Sequence, residues 1–144
     1  MANARQNNMT PAEAHELLQM HSGRHSDTNH PKWEFGFLGS LRPYSGLRVE
    51  NFHEVMACLK VLANELGSGA LCDRELIAAI WGICHLGRAW GVEPGGMLRS
   101  NKLIPSEQLD RLSSWITQIS YAAFCLLDGC GTDVAFEHYD EWEA

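Results

Sequence analysis

Four residues in one polar stretch carry the side chains that bind transition metals: His21, His25, Asp27 and His30, the last three spaced as His-x-Asp-x-x-His. Neutral imidazole and carboxylate are good ligands for zinc and similar divalent ions, and a loop there would be able to wrap an ion. The spacing matches no standard metal motif, and histidine, aspartate, serine and asparagine also populate ordinary polar turns. The loop therefore has two readings: a polar turn, or a site for a divalent metal such as zinc in a metal-dependent enzyme. No other cofactor is expected.

Other constellations point away from catalysis. His53-Glu54 opens a helix, but position 57 is Ala57, so the second histidine of a zinc HExxH motif is missing. Glu54 then reads as a helix-cap partner. Cys84 and His85 are neighbours on a helix, where adjacent side chains diverge by about 100° and do not face each other. Cys84 reads as a small hydrophobe. The stretches Gly36-Phe37-Leu38-Gly39-Ser40 and Pro94-Gly95-Gly96 match neither a dinucleotide fingerprint nor a P-loop and read as turns.

Two features suggest recognition. Arg42 and Arg48 share one loop with Tyr44, and guanidinium forks match carboxylate or phosphate. Their alternative role is to pair with acids near the C-terminal end of the sequence. Residues 133–144 hold Asp133, Glu137, Asp140, Glu141 and Glu143 and no lysine or arginine, with Phe136, Tyr139 and Trp142 three apart. Either the aromatics dock on the domain and the acids face water, or Glu137, Tyr139, Asp140, Glu141 and Trp142 form a recognition strip for a basic partner.

The elements that must position these residues are helical. Thr10-Pro11-Ala12-Glu13 is a helix start, with Thr10 as cap, Pro11 in the first position and Glu13 as capping-box partner. That helix should end between Met20 and Gly23. Residues 21–46 contain Gly23, Pro31, Gly36, Gly39, Pro43 and Gly46 and should be irregular. Trp33 to Leu38 within them reads as an apolar plug over the core, because no second strand is available to pair with it. A second helix is expected from about Glu50 to Leu66, capped by Asn51. Phe52, Val55, Met56, Leu59, Leu62 and Leu66 form its apolar face. A third is expected from Asp73 to Trp90, apolar nearly all round and so buried. Its Gly82 and Gly87 make sense where a neighbouring helix approaches closely. A fourth should run from Pro105 or Ser106 to about Asp128, its stripe widened by Trp115 and Phe124, with Gly129 as its stop. The fold class is all-α, an irregular bundle of about four helices. Residues 1–144 read as one domain, with 1–9 flexible.

The whole chain has 144 residues, 11 basic against 18 acidic, and a net charge of −7. That balance does not suit phosphate backbones or anionic lipid surfaces, so neither nucleic acid nor membrane is expected as the main partner. The longest apolar run, Ile77 to Leu86, is shorter than a membrane span and contains Gly82 and His85. The polar N-terminus lacks the apolar region of a signal peptide. An odd count of five cysteines without a CxxC fits reduced thiols. The cytoplasm is the expected location. The favoured function is a small acidic protein-binding module, such as a bacterial immunity- or inhibitor-type protein that masks a basic partner. The alternatives are the metal-dependent enzyme of the histidine loop and a small-molecule sensor lined by Trp81, Trp90 and Trp115. The sequence leaves the oligomeric state open.

Overall fold

The structure, a computed structural model, describes residues 8–139. Thr10 starts the first helix as its side chain implies: its Oγ1 accepts the Glu13 amide at 3.1 Å, and Pro11 takes the first helical position. Helix α1 (Pro11–His21) buries Ala14, Leu18 and His21, which follow one another at helical spacing. Just before it, Met9 packs against the core, with its sulfur 3.9 Å from the Cys58 thiol.

Residues 21–46 hold one short helical turn, α2 (Lys32–Phe35), and an isolated bridge between Leu41 and Tyr44. The expected plug is real but displaced along the chain. Phe37, Leu38 and Leu41 are buried, whereas Trp33 and Phe35 stand about half exposed. Gly39 shows why this turn needs a glycine: a Cβ there would sit 2.3 Å from the Trp33 carbonyl oxygen.

The second expected helix is two. α3 (Val49–Val61) buries Phe52, Val55, Met56 and Leu59, and α4 (Ala63–Gly67) follows a break at Leu62. Leu62 and Leu66 are both buried, and α4 packs on the last long helix. Asn51 is not the cap. It lies inside the first turn of α3, and its side-chain amide donates to the Phe35 carbonyl at 2.9 Å, tying α3 to α2. Local sequence suggested a cap, and a tertiary contact took the side chain instead.

Helix α5 (Arg74–Gly87) is capped by Asp73, whose Oδ1 accepts the amides of Glu75 and Leu76 at 2.8 and 3.2 Å. It stops before Trp90, and a wider π-type turn carries the chain through Arg88–Val92. It is also not buried all round. Leu76, Ala79, Ile80, Ile83 and Gly87 face the core, while Trp81 is 72% exposed. Gly87 sits against its neighbour as expected, since a Cβ there would lie 2.9 Å from the tip of Ile116. Gly82 does not: a Cβ there would meet none of the described residues within 4 Å.

After the short α6 (Met97–Ser100), the longest helix, α7 (Ser106–Leu127), buries Leu112, Trp115, Ile116, Ile119, Ala122, Ala123 and Leu126. Trp115 stacks on Phe52 with ring centroids 5.4 Å apart. Phe124, expected in the stripe, is 63% exposed. Gly129, with φ +79°, takes the left-handed conformation that ends α7. Its amide donates to the Leu126 carbonyl and that of Cys130 to the Cys125 carbonyl. A last turn, α8 (Thr132–Ala135), folds back on α7. The architecture is all-α: α1 lies on α3 and α5, and α5 lies on α7. No helix among the described residues is long and apolar enough to cross a membrane.

Candidate functional site

The histidine loop is held by its own hydrogen bonds. His21, at the end of α1, is fully buried. Its Nδ1 accepts the Phe37 amide at 2.9 Å, so the ring proton lies on Nε2, which meets Glu54 Oε1 at 2.8 Å. Burial lowers the His21 pKa and outweighs the stabilising carboxylate. For Glu54, burial pushes the carboxyl up, but the His21 bond and the Lys32 ammonium at 3.3 Å win and hold it below its ordinary range. His25 accepts the Asp27 amide on Nδ1 at 3.0 Å and donates from Nε2 to Glu16 at 3.1 Å. Asp27 Oδ1 accepts the Asn29 amide at 2.9 Å, which is an Asx turn. His30 stands edge-on to His25 at 5.2 Å, and burial of its ring together with the nearby His25 lowers its pKa. His21, His25 and Asp27 therefore satisfy the turn and lock it to α1 and α3, whereas both ring nitrogens of His30 lack a hydrogen-bond partner among the described residues. Among the described residues, no group of three or more His, Cys, Asp or Glu side chains gathers to hold a metal ion.

The two arginines have different neighbours. Arg48 donates to Ser40 Oγ at 2.8 Å and Ser45 Oγ at 3.0 Å, and its guanidinium lies over the Phe35 ring at 4.9 Å. Arg42 lies over Trp90 at 5.3 Å. Neither makes an ion pair among the described residues. Arg48 is a clasp for the turn between Ser40 and Gly46.

The aromatic end of the described chain turns inward. Tyr139 packs edge-on against Phe52 at 5.5 Å, and its hydroxyl lies 2.7 Å from His53 Nδ1. The Lys60 ammonium lies over Tyr139 at 5.0 Å and over Phe136 at 5.4 Å. Glu137 accepts the Tyr121 hydroxyl at 2.5 Å. Asp140, Glu141 and Trp142 lie outside the described residues.

The three tryptophans expected around one ligand are dispersed. Trp115 is core and Trp90 lies under Arg42. Trp81 borders a groove of about 400 Å³, which runs between α5 and α7. Ile77, Trp81 and Cys84 form its α5 wall, and Ala123, Phe124 and Leu127 form its α7 wall. The helix spacing explains this face. Arg74, Ile77, Ala78, Trp81, Gly82 and His85 on α5, and Arg88 just after it, recur at steps of three and four and border the groove or the shallower depression on the far side of Trp81. Burial raises the Cys84 thiol to about 11, against the opposing pull of Arg88, so it is a neutral packing group rather than a nucleophile. Arg88 closes one end, its Nη2 donating to Thr117 Oγ1 at 3.1 Å.

Sequence reading missed this face because α5 looked uniformly apolar. The available signal was Gly82, a glycine in mid-helix beside Trp81, which lies seven residues, two helical turns, from both Arg74 and Arg88. Comparison with protein-family models, characterised proteins and solved structures gives no significant match.

Proposed function

We propose that the protein is a protein-binding module that docks its partner on the α5–α7 groove. The carrying observation is that Trp81 and Phe124, 72% and 63% exposed, stand on opposite walls of one groove. Aromatic side chains dominate interface energetics, and a contiguous exposed apolar patch marks an interaction site on a folded domain. Covering each such side chain contributes roughly 1.5–3 kcal/mol. The net charge of −7 supports an immunity- or inhibitor-type role at long range, by steering a protein of net basic charge toward the molecule, whatever the local charge of the segment that enters the groove. A second reading is favoured by the groove's size: about 400 Å³ lies within the usual range of small-ligand sites, so an apolar ligand is the alternative occupant.

The test is site-specific photocrosslinking in the native host. A benzoylphenylalanine at position 81 or 124 should give one discrete protein adduct, and the same group at Trp33 or Leu103, exposed elsewhere, should not. Adducts from the control positions alone would move the docking face away from the groove. An adduct-free result, with a co-purifying apolar small molecule, would favour the ligand.

A further inference from the structure

Resting on the groove as docking face, we infer that its occupant is an amphipathic helix with an apolar stripe and acidic flanks. Three observations converge. The first is charge. Arg74 and Arg88 mark the two ends of the α5 face and His85 lies between, while no carboxylate borders the groove or the adjoining depression among the described residues. Asp73, which caps α5, Glu75 in its first turn and Asp128, beside the Cys130 thiol at 3.7 Å, all stand outside that lining. On a chain of net charge −7 this face is a local basic exception.

The second is length. Arg74–Gly87 spans 14 residues, about 21 Å of helix at 1.5 Å per residue. That matches four turns of a guest helix laid along it, anchored by residues at i, i+3 or i+4, and i+7. The third is Gly82. A mid-helix glycine is worse than alanine by about 1 kcal/mol, and none of the described residues occupies the space its missing Cβ leaves. Ala78 lies one turn earlier on the same face. Together they let a guest backbone come close beside Trp81.

Charge also selects among occupants. A second copy laid α5 against α5 would bring Arg74 and Arg88 against the same two arginines in either orientation, and like charges across an interface are unfavourable. A basic segment meets the same repulsion. An acidic helix gains at both ends.

The probe is a phage-displayed library of helix-forming peptides about 15 residues long, selected against the full chain. The expected winners carry the apolar stripe with Asp or Glu beside it. Their synthetic forms should lose at least tenfold in affinity against Trp81→Ala, Arg88→Glu or Gly82→Leu and weaken with added salt. Arg74→Glu gives a second charge reversal at an exposed position. A Lys-flanked copy of a winning peptide should regain affinity for the two reversals. Circular dichroism verifies that each variant is folded. Winners that need Trp81 yet carry lysine and arginine, or ignore both charge reversals, would overturn the acidic helix and leave the groove standing. Winners indifferent to Trp81→Ala and Phe124→Ala would overturn the groove as well. A library with no winners would overturn the helical occupant.

Discussion

At the scale of single residues, His21 is the most constrained polar group described here. It joins α1 to the Phe37 turn through Nδ1 and to α3 through Nε2. The buried ring holds its proton less tightly than an unfolded ring of pKa 6.5. Unfolding therefore takes up a proton as pH falls through about 6.5, and acid favours the unfolded chain. Glu54 acts in the same sense at lower pH: its depressed pKa means that stability present above about 4.5 is lost on further acidification. Urea unfolding should show stability falling steadily from pH 7 to pH 5. His21→Ala should cost about 2–3 kcal/mol at pH 7, because the Phe37 amide and Glu54 lose a buried partner, and should flatten that slope. An unchanged slope would remove His21 as its source. None of this was legible in the sequence, where His21 grouped with His25, Asp27 and His30 by closeness along the chain. Its actual partner, Glu54, is 33 residues away and looked like a helix cap.

At the scale of elements, apolar spacing located the main helices within a few residues, since Ser106–Leu127 and Pro11–His21 follow directly from stripes and caps. It could not distinguish buried from exposed apolar side chains on α5, because burial depends on which neighbours are present. Trp81 and Phe124 read as core for that reason. Two glycines separate the cases experimentally. Gly39→Ala should destabilise by about 2 kcal/mol or more, since the new Cβ strikes backbone carbonyls that cannot yield locally. Gly82→Ala should raise stability by up to about 1 kcal/mol, because its Cβ enters open space. Thermal unfolding of both variants checks the pair. A destabilised Gly82→Ala would mean that this face is already covered.

At the scale of the whole molecule, the C-terminal part of the chain is partly structural. Ala135 is buried, and Tyr139 reaches from α8 to Phe52 and His53 on α3. Removing residues 133–144 should therefore lower the melting temperature, and Tyr139→Phe alone should cost about 0.5–1.5 kcal/mol through its lost hydroxyl bond. A truncation that melted unchanged would assign these residues to recognition alone. The sequence left both roles open because aromatic spacing is the same whether a stripe meets its own domain or another. The contact of Gly87 with Ile116 has a further consequence for the molecule as a whole. It holds α5 close to α7 next to the Arg88–Thr117 link that closes one end of the groove, so the receiving surface is preorganised, and the conformational entropy of association is lost by the guest. Chemical stapling that pre-forms the guest helix should then tighten binding chiefly by improving the entropy of association, whereas loosening the host, as Ile116→Ala would, should erode affinity without touching a single contact residue.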